Sequence, residues 1–244
     1  MKGERYQKRF YREWVTAKGL HQQRVVERET DVQVLTDKRL DVDYLRERIR
    51  AYRWDIERYI MKDKRFLTSL KPIPVELDAE PIIKRMSEAA RQANVGPMAT
   101  VAGAVAEFLG KDLLRRGYKD VAVENGGDIF IKLRRTCTVE IYSGKAKRWN
   151  KLKLKIRPKN MPVGICTSSG TVGHSLSFGA ADSVVMLSKN TALADAAATA
   201  TCNRIQSRKD LENGLQFARS IKGISGVVII FKSNLVSWGA VEFI

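Results

Sequence analysis

The order in which two hydrophobic periodicities alternate along this chain limits its possible folds most severely. Between Val121 and Leu187 the chain becomes a succession of short apolar runs of strand length, flanked on both sides by segments with helical spacing. The runs are Val121–Val123, Ile129–Ile131, Thr138–Ile141, Leu152–Ile156 and Val184–Leu187. A doubly wound sheet would alternate strand and helix strictly, which this chain does not do. The class expected is α+β, with mixed or antiparallel sheets flanked by helices in two interleaved lobes.

The flanking segments agree. Arg24–Arg28 and Asp31–Leu35 read as two strands around Glu29-Thr30, a hairpin or meander. Asp41 is a good N-cap for a helix ending near Lys62, because Leu45, Ile49, Tyr52, Ile56 and Ile60 recur at spacings of three and four. The Lys71-Pro72-Ile73-Pro74 stretch marks a loop. Helices follow from Pro81 to about Ala93 and from Gly96-Pro97 to about Arg116, closed by Gly117. Thr191 is the expected cap of a helix running to about Ile205, and Asp210–Lys222 reads as another. Gly226–Phe231 and Leu235–Trp238 read as a terminal hairpin. At 244 residues the whole is expected to be one domain, with a basic segment 1–70 packed on a core of 71–244.

No apolar run is long enough to span a bilayer, and the amino terminus has no signal core, so a cytoplasmic protein without membrane contact is expected. Cys137, Cys166 and Cys202 form no C-x-x-C pair, which argues against zinc or a disulfide framework. Cys166 reads as a buried small hydrophobe, with a thiol nucleophile as the alternative.

The net charge of +17 suits anionic partners in general. Eleven Lys or Arg residues and one acid, Glu140, lie between Lys132 and Lys159. Lys2, Arg5, Lys8, Arg9 and Arg12 are interleaved with Tyr6, Phe10, Tyr11 and Trp14. A nucleic-acid partner is therefore one candidate, although no recognition motif accompanies the charge. The Leu152–Ile156 strand alternates apolar and basic residues, giving one buried and one positive face.

Three short stretches carry chemistry-bearing side chains. Asn125-Gly126-Gly127-Asp128 lies between two strands. Its glycines permit positive φ and an anion-binding concavity, but a tight hairpin turn accounts for the same residues. Thr167-Ser168-Ser169-Gly170 follows the strand Val163–Cys166 and precedes His174, a polar loop suited to phosphate. It is neither a P-loop nor a nucleophile elbow. His174 is the candidate general acid or base, against the plainer reading of a surface histidine. Asp195 and Thr199 stand one helical turn apart and could give two oxygen ligands to Mg²⁺. With His21 and His174 the only histidines, any metal site must be oxygen-rich. The small residues from Met98 to Ala106 let a helix approach another backbone or a ligand closely, and tight packing explains them equally well.

Asn125-Gly126-Gly127-Asp128-Ile129, Thr167-Ser168-Ser169-Gly170 and Ala194-Asp195-Ala196-Ala197-Ala198-Thr199-Ala200 occur in the order and approximate spacing seen in the ApbE family. The sequence resembles that family over roughly residues 85–205, and most closely its shorter, uncharacterised prokaryotic members. The resemblance implies binding of FAD or a related flavin or adenine nucleotide with Mg²⁺, and FMN transfer to a protein threonine or serine. Asp195 and Thr199 would be the metal pair, with a backbone carbonyl of the small-residue helix as a third ligand. Asn125, Gly126, Gly127 and Asp128 would border the nucleotide, and Thr167, Ser168, Ser169 and Gly170 its phosphates. Two departures bear on catalysis. The D-P-x-T-G that follows the histidine in the transferases is missing after His174, and the lysine of their small-residue helix is replaced by Ala102 or a neighbour. A phosphorylated small-molecule ligand is expected, while an acceptor protein, self-association and an inactive scaffold stay open.

Overall fold

The computed structural model describes residues 15–16, 19–141, 146–149, 152–170 and 178–244. In chain order the elements are β1 (Val15–Thr16), β2 (His21–Glu27), β3 (Thr30–Thr36), α1 (Val42–Lys62), α2 (Arg65–Thr68), α3 (Pro81–Ala93) and α4 (Val101–Arg115). There follow β4 (Val121–Asn125), β5 (Asp128–Lys132), β6 (Cys137–Glu140), β7 (Lys153–Ile156), β8 (Val163–Ser168) and β9 (Ser183–Ser188). The chain closes with α5 (Thr191–Cys202), α6 (Leu211–Ser220), β10 (Ile224–Phe231) and β11 (Asn234–Gly239).

The strands form an eight-stranded sheet in the order β11-β10-β9-β8-β5-β4-β3-β2 and a three-stranded sheet, β1-β6-β7. All the strand pairings among the described residues are antiparallel, so the expected α+β class is observed. Alternation along each strand then divides the core into two layers. Val34, Val123, Phe130, Cys166, Met186 and Ile229 face the helices, in one cluster with Ile49, Met86, Leu109 and the alanines of α5. Leu35, Ala122, Ile131, Ile165, Leu187 and Ile230 face the small sheet, packing with Val139 and Leu154.

Local chemistry explains most boundaries. Asp41 caps α1 by accepting the Tyr44 N–H at 3.1 Å, and Asn94 ends α3 in the left-handed conformation. The cap of α5 differs from the expectation. Asn190, not Thr191, accepts the Leu193 N–H at 3.0 Å, and the helix ends at Cys202. Thr191 points inward instead, its hydroxyl buried without a partner among the described residues. Gly164 permits this closeness of α5 to β8: a Cβ there would lie 2.5 Å from the Thr191 Cα.

Five cations of the basic run, Arg134, Arg135, Lys153, Lys155 and Arg157, are held in ion pairs. Arg134 and Arg135 both bond Asp120, which is fully buried, at 3.0 and 3.1 Å. Burial raises the Asp120 carboxyl, but the two guanidiniums and the Arg134 N–H outweigh it and hold the pKa below its ordinary value. On β7, Leu154 and Ile156 are buried as the alternation requires. Its cations are paired: Lys153 with Glu140, and Lys155 with Glu242, which also takes Arg157 in a two-point contact. The positive strand face is thus offset by Glu140 of the neighbouring strand and by Glu242 near the end of the sequence. The aromatic and basic residues of 2–14 lie outside the described residues. Among the described residues, no helix is long and apolar enough to cross a membrane.

Candidate functional site

The β4–β5 connection is the two-residue hairpin turn that its residues suggest. Gly126 and Gly127 both have positive φ, +67° and +102°, as a type I′ turn needs, and Asn125 pairs with Asp128 across it. Because the turn sits at the end of the sheet, its two flanking side chains fall on the helix-facing side. There the Asn125 amide donates to the Ala102 carbonyl at 3.2 Å, and Asp128 meets α5. The Gly127 N–H is occupied, donating to Glu124 Oε1 at 2.8 Å. The turn reading and the site reading are therefore compatible.

On β8 the same alternation sorts the candidate loop. Cys166 and Ser168 face the helices, whereas Thr167 pairs with Val185 and turns its side chain to the small sheet. Thr167 reaches the site through its backbone, donating its N–H to Asp128 Oδ1 at 3.2 Å. The Ser168 hydroxyl is buried and has no partner among the described residues. Ser169 is half-buried. Gly170 serves packing, since a Cβ would lie 1.9 Å from the Gly179 carbonyl oxygen. His174 lies outside the described residues.

Helix α5 brings Asp195 and Thr199 to this end of the sheet. The two small-residue helices touch because Gly103 has no side chain: a Cβ there would lie 2.6 Å from the Thr191 oxygen and 2.8 Å from the Asp195 Cβ. The Gly103 N–H instead donates to Asp195 Oδ2 at 2.9 Å. Thr199 is 7% exposed, while Asp195 remains partly open.

Asp128 and Asp195 face each other within hydrogen-bonding reach. Burial, and for Asp128 also the neighbouring Asp195 charge, raises both carboxyls. Asp195 is pushed up to about 7 and Asp128 well above the usual carboxylate range. Two such groups cannot both ionise cheaply, so near neutral pH the pair shares a proton. Cys166 borders both carboxyls, and burial first, then their charges, pushes its thiol up, which removes it as a thiolate nucleophile. Its Sγ lies 3.3 Å from the Thr191 carbonyl oxygen.

Chemically, the site offers two carboxyls that want a positive charge and two hydroxyls. Among the described residues, no cluster of three or more Asp, Glu, His or Cys side chains is arranged to hold a metal ion alone. A hard cation would complete its shell from hydroxyls, backbone carbonyls or a bound anion. Inspection of residue types does not reveal the Asp128–Asp195 pairing, the Gly103 donor or the role of Glu107. Glu107 is 1% exposed and accepts the Thr191 N–H at 2.7 Å, fixing the start of α5. The one signal for Gly103 is its place in the Met98–Ala106 small-residue stretch.

Comparison with known proteins places these features in a family. The chain is 40% identical over 217 residues to the UPF0280 protein MJ1526 of Methanocaldococcus jannaschii, covering 87% of this chain and 88% of that one. It is also 40% identical over 212 residues to a UPF0280 protein of Methanospirillum hungatei, covering 87% and 85%. Among solved structures, the flavin transferase ApbE from Vibrio cholerae superposes with a TM-score of 0.59, covering 90% of this chain and 97% of that one. The ApbE protein of Thermotoga maritima gives 0.54, covering 91% and 96%. Both structures are only 13% identical in sequence, so they establish the shared fold alone. The sequence model of the family described as "AbpE bacteria" matches residues 12–231, a span that holds every site residue named above, and the chain belongs to that ApbE-like family.

Proposed function

We propose that this protein binds a flavin or adenine nucleotide of the FAD type together with Mg²⁺ at the Asp128–Asp195 site. The observation that carries the proposal is the Asp128–Asp195 carboxyl pair, one helical turn from Thr199, at the sheet end where β8 carries the Ser168 hydroxyl, which has no partner among the described residues. A pair of carboxyls forced to keep a proton is a poor arrangement by itself and a good one for a divalent cation. The flavin assignment draws on the fold shared with flavin transferases and on family membership.

Asp195 and Thr199 would hold the cation from one face of α5, and the Ala102 region of α4 is the source of a backbone carbonyl. Bound there, the ion would neutralise a diphosphate and make its phosphorus open to attack. The rest falls to the chain. Gly103 and Glu107 fix α5 against α4, Asp128 orients Asp195, and Ser168 turns a free hydroxyl toward the ligand. Asn125, Gly126 and Gly127 would border the nucleotide, with Ser169 and Gly170 on its phosphate side. If transfer follows, an acceptor protein hydroxyl attacks phosphorus, its proton passes to His174 as the candidate base, and the adenylate half leaves. An active transferase would have to make up for the missing D-P-x-T-G.

Titration calorimetry of the full chain with FAD, with Mg²⁺ and then with EDTA, tests the proposal. The expected result is binding that needs Mg²⁺ and weakens at least about tenfold in Asp195→Asn, the cost of one lost charge-assisted ligand. Absence of binding to FAD, FMN and ADP in both buffers contradicts it.

A further inference from the structure

A cleft of about 450 Å³ opens between the start of α6, the β10–β11 turn and Trp149. Its walls include Trp149, Arg208, Lys209, Glu212, Asn234 and Leu235. This volume suits a small molecule rather than a macromolecular face.

Two features give the cleft a chemistry. The first is its charge. Arg134, Arg135, Lys153, Lys155 and Arg157 of the basic run are all in ion pairs. Arg148, Arg208 and Lys209 are in none among the described residues. Arg208 and Lys209 on the cleft wall thus have no partner acid among the described residues, and Arg148 lies over the Trp149 ring at 5.5 Å. Asp210, next to Lys209, is turned back to accept the Gln206 and Ser207 N–H groups at 3.1 and 2.8 Å. Glu212 is held on its own helix by the Gln216 amide at 2.7 Å. The second feature is Trp149. Its indole N–H donates to the Lys232 carbonyl at 3.2 Å, which pins the ring while leaving it half-buried on the cleft wall. A fixed indole beside two unpaired cations is the combination that takes a base by stacking and its phosphate by charge.

We propose that the Trp149–Arg208–Lys209 cleft binds the base and phosphate of a nucleotide, without a metal. Arg208 and Lys209 take the phosphate, Trp149 stacks the base, and Glu212 or Asn234 accepts from a sugar hydroxyl. This site is separate from the carboxyl pair and does not depend on that reading. The nucleotide is either free or part of a single strand, since both present the same groups to the cleft.

The test is calorimetry on the full chain in EDTA, with adenosine monophosphate and with a short oligo(dA) as probes. Both probes are expected to bind. Arg208→Glu with Lys209→Glu should weaken binding at least about tenfold, and Trp149→Ala about fivefold or more. Asp195→Asn should leave it unchanged. Equal affinities would assign a free nucleotide; tighter, steeply salt-dependent binding of the oligonucleotide would assign a strand, and either upholds the cleft. Failure of wild type to bind both probes overturns the proposal. So does binding that survives the charge reversal or that Asp195→Asn abolishes. The charge-reversal variant decides the matter if Trp149→Ala loses its circular dichroism.

Discussion

The Gly103 N–H donates to Asp195 Oδ2 at 2.9 Å, and the same glycine leaves no room for a Cβ between the two helices. One position thus both packs the layer and aims the carboxylate. Gly103→Ala should gain helix propensity and still lose stability, because the added methyl would lie 2.8 Å from the Asp195 Cβ. Overpacking of this kind costs about 1–3 kcal/mol. Chemical denaturation measures it, and a variant as stable as wild type would show that α4 and α5 do not need this contact.

Glu107 stands one turn further along α4, buried, with Lys111 and Arg85 beside it and the first N–H groups of α5 in front. Glu107→Ala leaves the Thr191 and Ala192 donors without that acceptor and should cost about 1–3 kcal/mol. Glu107→Gln keeps an acceptor and should lose less. The ordering of the two variants in urea midpoints is the check; equal losses would mean that charge, rather than capping, is what Glu107 supplies.

The raised carboxyl pair makes stability depend on pH in an unusual direction. In the unfolded chain an aspartate ionises near its ordinary value, 3.8, whereas Asp195 in the fold keeps its proton to about 7. Between those values the folded chain binds more protons than the unfolded chain, so this pair's contribution falls as pH rises through that window. Asp195→Asn should therefore raise Tm at pH 8 in EDTA by about 2–4 °C, the shift that about 1 kcal/mol produces in a chain of this size. At pH 5, about one unit above the ordinary value, the gain should shrink to less than half. A gain that is the same at both pH values would deny the shared proton.

Much of the fold is legible in the sequence because its elements follow strong local rules. The α1 stripe, the Pro81 start of α3 and the Gly126-Gly127 turn depend on near neighbours in sequence, and each lies where its residues suggest. The cap of α5 escapes the same local rules. Thr191 and Asn190 are both good caps, and only the close approach of Gly164 shows that Thr191 must face inward. The site is legible as residue types, Asp128, Ser168, Asp195 and Thr199, but not as chemistry. That two of these carboxyls meet, and that Thr167 turns away, follows from the register of β5, β8 and β9 and from where α5 crosses them, which periodicity does not encode. The basic run misleads because its acids, Asp120 and Glu242, come from other parts of the chain.

The cysteines give a simple check on packing. Cys137, Cys166 and Cys202 are all buried, and burial pushes the Cys137 thiol up to about 12. A disulfide reagent at neutral pH should label none of the three in the native protein and all three in denaturant. Rapid native labelling of Cys166 would mean that the layer between α5 and β8 opens.

The functional reading rests on Asp195 and Thr199 holding a divalent cation shared with an anionic nucleotide. Crystals grown with FAD, and with Mn²⁺ in place of Mg²⁺, would locate that cation through its anomalous signal. One strong peak is expected within coordination distance of the Asp195 carboxylate and the Thr199 hydroxyl, with phosphate oxygens completing the shell. FAD bound with no metal at those two residues, or metal bound elsewhere on the chain, would contradict it.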